Sequence, residues 1–287
     1  GDHGACGYRD FRGTGEGVNI TFIGGGNMAR AIIGGLLNKG YDPDAIAVVE
    51  VVPDARERLQ RELRVRAFGS PGEAAPFGNL LVMAVKPQQM RASAAQVAPH
   101  LSGQVVVSIA AGTRLTDLSR WLGGHRLLVR CMPNTPALIG AGITAACAAA
   151  GASDAQREAA GKVLEAVGKV LWVGDEGLLD PVTAVSGSGP AYVFYFIEAM
   201  QQAATALGLS PEQARTLSLE TFLGATRLAA GSPEPVSVLR ERVTSKGGTT
   251  EAALSSMAAD HVREAIVRAI RAASERGRQL GEELGKD

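Results

Sequence analysis

The sequence predicts an α/β fold in its first part, a parallel sheet covered by helices over residues 18–174, followed by an all-helical region over 175–287. Three observations carry this. Up to about residue 174, short apolar runs alternate with longer amphipathic ones, the pattern of strand–helix–strand units joined by right-handed crossovers. The short runs are apolar throughout rather than alternately, as in strands covered on both faces. Beyond about residue 175 no such runs recur, and only helical periodicity remains.

In chain order, strands are expected at Ile20–Ile23, Ile46–Val49, Leu80–Val85, Val105–Ile109, Leu127–Arg130 and Val170–Val173. Glycine, proline or polar residues bound each of them. The intervening helices are expected at Met28–Asn38, Asp54–Leu63, Gln88–Leu101, Thr116–Leu122 and Asp154–Val167. In the second part, Ala191–Leu207 is a long apolar helix ended by Gly208. Ser210-Pro211-Glu212-Gln213 then opens a helix, with serine as N-cap and proline in the first turn. That helix runs to about Ala230 and stops at Gly231-Ser232-Pro233. A last helix starts near Asp260, with Val262, Ile266, Ala269, Ile270 and Ala273 on one face.

Ala191–Met200 is apolar around most of its circumference, so it must be buried. A helical region of this size is too small to bury it alone; the helices are expected to pack against a second copy as a homodimer, the alternative being the chain's own N-terminal domain.

Composition narrows the function. The chain has 287 residues, 46% of them hydrophobic and 20% charged, the profile of a soluble globular protein of one or two domains. Lysine plus arginine equals 29, as does aspartate plus glutamate. This balance removes the electrostatic basis for a nucleic-acid partner or an acidic membrane. No apolar run approaches the roughly 20 residues of a bilayer span. Residues 1–17 are polar and glycine-rich with no apolar stretch. They read as a disordered extension or a remnant of cloning, not as a secretory signal. Cys6, Cys131 and Cys147 have neither metal nor redox spacing, so reduced thiols and a cytoplasmic location are expected. The four histidines are scattered, and no metal site is expected.

Gly24-Gly25-Gly26-Asn27-Met28-Ala29 follows the first strand and opens the first helix. It fits the G-x-G-x-x-G/A fingerprint of a Rossmann-type dinucleotide site. Gly24 permits the tight turn, Gly26 lets a pyrophosphate approach, and Ala29 lets helix and strand pack closely. The phosphates would sit on the helix N-terminus at Asn27 and Met28. Glu50 ends the second strand, where an acid accepts from a ribose 2′-hydroxyl and favours NAD over NADP. Arg56, Arg58, Arg61, Arg64 and Arg66 follow; one of them could meet a 2′-phosphate, or the series is a solvated helix face. Residues alone leave NADH and NADPH both open.

Ligands of an open parallel sheet bind beyond its strands' carboxyl ends. Ala84-Val85-Lys86-Pro87, the segment around Ala110, and Met132-Pro133-Asn134-Thr135-Pro136 all fall there. Asn134, between two prolines, suits either an orienting role toward a nicotinamide amide or a rigid turn. Lys86 reads as structural, because Pro87 turns the backbone beside it. In the helical part, Val243-Thr244-Ser245-Lys246-Gly247-Gly248-Thr249-Thr250 interrupts the helices with hydroxyls and paired glycines. It forms either a second anion cradle, suited to a small carboxylate, or an ordinary capped loop.

Together "FIGGGNMA", "AVKPQ", "SIAAG", "MPNTPA", "SGSGPAY" and "VTSKGGTT" stand in the order and spacing of the pyrroline-5-carboxylate reductases, which the chain resembles over about Val18 to Leu280. The resemblance implies a Rossmann-type domain, a helical domain that interlocks in dimers, and in some members rings of dimers. It implies hydride transfer from NADPH or NADH to the C=N bond of 1-pyrroline-5-carboxylate, giving proline. Thr250 would act on the imine nitrogen. Ser245, Lys246, Gly247, Gly248 and Thr249 would hold the substrate carboxylate. Gly24, Gly26, Asn27, Met28, Glu50, Ala84, Val85, Lys86, Pro87, Ala110 and Asn134 would hold the cofactor. Two positions depart from the family's usual pattern. Glu50-Val51-Val52 stands where small polar and basic residues are common, and Lys246 replaces a proline. Two rival readings remain: a 3-hydroxyacid dehydrogenase relative, with Lys246 as its one candidate lysine on a poor glycine-flanked seat, or a non-catalytic NAD(P)-binding redox sensor.

Overall fold

The computed structural model describes residues 18–286; the expected extension over 1–17 lies outside them. Strands β1 (Ile20–Ile23), β2 (Ile46–Val49), β3 (Arg66–Phe68), β4 (Leu80–Met83), β5 (Val105–Ser108), β6 (Leu128–Met132), β7 (Gly142–Ala148) and β8 (Gly168–Trp172) form one sheet, in the order β3-β2-β1-β4-β5-β6-β7-β8. Helices α1 (Asn27–Asn38), α2 (Pro53–Leu63), α3 (Pro71–Ala74), α4 (Pro87–Val97), α5 (Leu115–Trp121) and α6 (Asp154–Leu164) connect them. α7 (Leu179–Val182) follows the last strand.

The sheet is two-sided because its inner strands are apolar at nearly every position. Along β4, Leu80 and Val82 join a cluster with Ile32 and Ile33 of α1 and Val163 of α6. Leu81 and Met83 join a second cluster with Met90 and Ala94 of α4 and Leu118 of α5. Successive side chains of a strand point to opposite faces, so two layers of helix are needed to cover one such strand.

The sheet is not wholly parallel, which corrects the expectation. β6 and β7 pair antiparallel, with Cys131 opposite Ala146, and β8 runs parallel to β7. The reason is loop length. Only residues 133–141 separate β6 from β7, whereas a parallel crossover needs a dozen or more. The chain can only turn back.

The described chain forms two compact units. One runs up to Gly187 and takes back the chain end from Ser274, while Ser188–Ala273 form the other. The division thus falls some way beyond residue 174, where the strand pattern ends. In the first unit, Gly281 is buried, Arg114 Nη2 donates to the Arg278 carbonyl at 3.3 Å, and Arg120 Nη2 donates to that of Gly285 at 2.9 Å. The chain end is therefore tied to α5 and the turn before it.

The second unit holds α8 (Gly189–Ala206), α9 (Pro211–Ala230), α10 (Val236–Arg242), α11 (Thr249–Ala259) and the first half of α12 (Val262–Leu284). α9 opens as expected: Ser210 accepts from the Gln213 N–H at 3.1 Å, and the Gln213 side chain accepts from the Ser210 N–H at 2.9 Å. α8 and α9 pack through the edge-to-face pair Phe196 and Phe222, with centroids 5.6 Å apart. No residue of α8 is fully buried; Phe194 and Tyr195 remain 65% and 77% exposed. Among the described residues no helix is long and apolar enough to cross a membrane, and no group of three metal-ligating side chains occurs.

Candidate active site

The glycine loop sits at the carboxyl edge of the sheet, in the middle of the strand order. Ile23, Met83 and Ser108 lie in register on adjacent strands, so the segments after β1, β4 and β5 emerge side by side. Gly24 has φ +100°, and a Cβ on it would stand 2.6 Å from the Ala84 carbonyl oxygen and 3.2 Å from Val85 Cγ1. Only glycine satisfies both the conformation and the approach. The glycine loop and the Ala84–Pro87 turn are thereby brought into contact. The Ala84 N–H donates to the Ile23 carbonyl at 2.8 Å. Ala110, also expected here, is buried just beyond β5.

Gly26 is the N-cap of α1, and a Cβ there would meet nothing within 4 Å. No protein group demands glycine at this point, and the space over it is open to a ligand. α1 has no side-chain cap and no acid in its first turn. The N–H groups of Asn27, Met28 and Ala29 therefore have no partner in their own helix, and the dipole is unopposed there. Buried Ala29 lets the helix lie close to β1. The arrangement fits a dinucleotide pyrophosphate.

Glu50 follows β2 and reaches back to the loop. Its Oε2 accepts from the Gly25 N–H at 3.1 Å and its Oε1 from the Val52 N–H at 2.9 Å. Arg56 Nη1 donates to the Glu50 carbonyl at 2.8 Å. Arg56 thus contributes to the shape of this corner, a role its place in an arginine-rich helix did not reveal.

Two expected residues have partners of their own. Asn134 is half-buried, and its Oδ1 accepts from the Ile143 N–H at 3.0 Å. Its oxygen fastens the proline loop to β7, which leaves the amide nitrogen for any further contact. Lys86 is exposed and is the N-cap residue of α4.

The second cradle lies in the other unit and is described by itself. Gly247 has φ +72°. The Gly248 N–H donates to the Ser245 carbonyl at 3.0 Å, and the Gly247 N–H donates to Glu251 Oε2 at 2.6 Å. Two of the amides expected to face a ligand are thus used inside the loop. The remaining donors are the first-turn N–H groups of α11, at Thr249 and Thr250, beside the Thr250 hydroxyl. α11 has no side-chain cap on these groups. Glu251 was not among the expected residues. Its signal was an acid three positions after the N-cap Gly248, the spacing at which such side chains reach back over a helix start.

Comparison with known proteins decides between the readings. A curated pyrroline-5-carboxylate reductase from Pseudomonas aeruginosa is 45% identical over 268 residues, spanning 93% of this chain and 98% of that protein. The chain belongs to the pyrroline-5-carboxylate reductase family. A counterpart from Arabidopsis thaliana is 34% identical over 93% of this chain and 97% of its own. The family model for pyrroline-5-carboxylate reductase dimerisation matches residues 176–280, and one for NADP oxidoreductases, coenzyme F420-dependent, matches residues 19–112. A solved pyrroline-5-carboxylate reductase from Coxiella burnetii superposes with a TM-score of 0.86 at 39% identity, covering 92% of this chain and 99% of that one. One from Plasmodium falciparum, solved with NADP bound, gives 0.83 at 27% identity, covering 92% and 98%. Family membership makes the chain an NAD(P)-dependent oxidoreductase and does not favour the hydroxyacid dehydrogenase or sensor readings.

Proposed function

We propose that the chain reduces the C=N bond of 1-pyrroline-5-carboxylate to give L-proline, with its glycine loop and its α11 cradle serving cofactor and substrate. The observation that carries the reading is the uncapped α1 N-terminus beneath open space at Gly26, within a chain of this family. When bound there, NAD(P)H supplies the hydride that the imine carbon accepts.

The protein's own part is to bind, orient and protonate. The α1 N-terminus holds the pyrophosphate, Glu50 meets the adenosine ribose, and Ala84–Pro87, Ala110 and the Asn134 amide flank the nicotinamide. The first-turn N–H groups of α11 hold the substrate carboxylate, and Ser245, Lys246, Gly247 and Gly248 shape that loop. The Thr250 hydroxyl hydrogen-bonds the imine nitrogen and orients it for protonation. A cyclic imine is basic enough to gain a proton readily, so the site needs no strong acid. Holding two reactants in near-attack geometry supplies several kcal/mol, up to about 7–11 in favourable cases.

The exposed apolar residues of the second unit, Phe194 and Tyr195 of α8 and Leu223 and Leu228 of α9 among them, are the surface a second copy covers in a homodimer. Assembly into rings of dimers, a cytoplasmic location, and the absence of nucleic-acid or membrane partners complete the reading. The even charge balance removes the electrostatic basis for a nucleic-acid partner.

The test is oxidation of NADH and of NADPH, followed at 340 nm with 1-pyrroline-5-carboxylate. Oxidation that requires the imine is expected. Binding of both cofactors without turnover would overturn the reading.

A further inference from the structure

We infer that Glu50 makes this chain discriminate against the 2′-phosphate of NADPH, so that NADH is its preferred cofactor. This rests on the reading of the glycine loop as the dinucleotide site.

The Glu50 carboxylate is built into that loop. One oxygen is held by the Gly25 N–H and the other by the Val52 N–H, at 3.1 and 2.9 Å. An ionised carboxylate has about four acceptor positions, and these two bonds leave the remainder for a ribose diol. They also fix the side chain, so it cannot swing away to admit a phosphate. A Cβ on Gly25 would stand 3.0 Å from Glu50 Oε2, which shows how closely the acid lies against the loop backbone. A 2′-phosphate at that ribose would meet a fixed like charge.

The two residues that follow the acid bring no counter-charge. Val51 and Val52 follow the acid and are 70% and 53% exposed, presenting apolar surface where a cation would be needed. The positive end of α2 already has an acid, Asp54, in its first turn. Arg56 is the nearest cation in sequence, but its Nη1 is bonded to the Glu50 carbonyl and stands 3.0 Å from where a Cβ on Gly69, just beyond β3, would be. It is turned toward the backbone. Arg30 pairs with Glu62.

The test is isothermal titration of the full-length protein with ADP-ribose and with its 2′-phosphorylated form, which carry the discriminating group but no nicotinamide. ADP-ribose is expected to bind more tightly, by about tenfold or more, which is about 1.4 kcal/mol. Equal affinity, or tighter binding of the phosphorylated form, would overturn the inference. Binding of neither would remove the dinucleotide site itself, and the inference with it. Glu50→Gln keeps the side chain's size and removes its charge. With an unchanged melting temperature it should bring the two affinities close together, chiefly by strengthening binding of the phosphorylated ligand. An undiminished ratio in Glu50→Gln would show that Glu50 is not the discriminating residue. The ratio of kcat/KM for NADH and NADPH should move in the same direction.

Discussion

The N–H of Gly247 donates to the carboxylate of Glu251, 2.6 Å away, so the loop before α11 is held shut by the helix it precedes. Gly247 lies in the left-handed region, and the bond fixes that conformation from the third residue of the helix. Ordering this loop at the moment of binding would otherwise cost substrate affinity. Glu251→Ala is expected to raise KM for the imine about three- to tenfold, by that loss of preorganisation, with cofactor affinity unchanged. Steady-state kinetics beside a cofactor titration check this. A fall in KM would instead make Glu251 a competitor for the substrate carboxylate.

Thr250 stands in the first turn of the same helix, half-buried, where no side chain caps the N–H groups. Thr250→Ala removes the hydroxyl and leaves those groups in place. The expected result is a fall in kcat of about 100-fold, the lower end of the range for general acid–base catalysis, and unchanged cofactor binding. Thr250→Ser should recover most of the rate. Turnover at the wild-type level in Thr250→Ala would exclude Thr250 from the chemistry.

Gly24 is bounded on the other side by backbone. A side chain there would need φ +100° and would strike the Ala84 carbonyl at 2.6 Å, and neither the strand end nor the turn can retreat cheaply. Gly24→Ala is expected to weaken cofactor binding about 5- to 150-fold, from a conformational cost of about 1–3 kcal/mol. Fluorescence titration with NADH checks it. Gly26→Ala separates the two glycines: it meets no protein atom, so the fold should tolerate it while the pyrophosphate does not.

Arg130 of β6 is 5% exposed, and its Nη1 donates to Glu176 Oε1 at 2.9 Å, with Asp180 Oδ1 3.8 Å from Nη2. The same Glu176 oxygen accepts from the Leu115 N–H at 2.7 Å. One carboxylate thus satisfies a buried cation and a helix start. Glu176→Ala is expected to cost about 2–3 kcal/mol, the cost of a charged hydrogen bond lost to a buried partner. Urea denaturation measures it, and a loss below about 0.5 kcal/mol, a typical surface value, would mean that Asp180 alone suffices.

How far the sequence could be read depended on how local each cause was. β1 and β2 were legible to the residue, because a short, largely apolar run ended by glycine or glutamate has few alternatives. β7 was not. Gly142-Ile143-Thr144-Ala145-Ala146-Cys147-Ala148 has neither the bulk nor the alternation of a strand, and its reversed direction comes from the short loop before it. β3 is a three-residue strand at the sheet edge, too brief to mark itself. The glycine loop was legible because turn, helix start and strand end are contiguous. The bonds of Glu50 to Gly25 and of Asn134 to Ile143 were not, since they join residues that only the folded sheet brings together. The apolar circumference of α8 was visible in sequence, and its exposed Phe194 and Tyr195 are what that pattern becomes in a single chain.

Cys131 and Cys147 sit on adjacent strands and are 1% and 4% exposed. Burial pushes the Cys131 thiol far above its ordinary value of 9.0, the neighbouring Cys147 adds to this, and Arg130 opposes it. Burial raises Cys147 as well, followed by the charge of Glu176. In the unfolded chain both thiols ionise near their ordinary value, whereas the native state keeps its protons. Above about pH 9 the unfolded state therefore binds fewer protons, and stability falls as pH rises, by up to about 1.4 kcal/mol per pH unit for each thiol. Below that pH the contribution is fully present. The urea midpoint should drop between pH 8 and pH 10, and Cys131→Ala should reduce the drop. In a Cys6→Ser background the native protein should leave Ellman's reagent unreacted at pH 8, and the denatured protein should show two thiols. Rapid labelling of the native protein would mean that β6 and β7 open readily, and the pH dependence would then have another source.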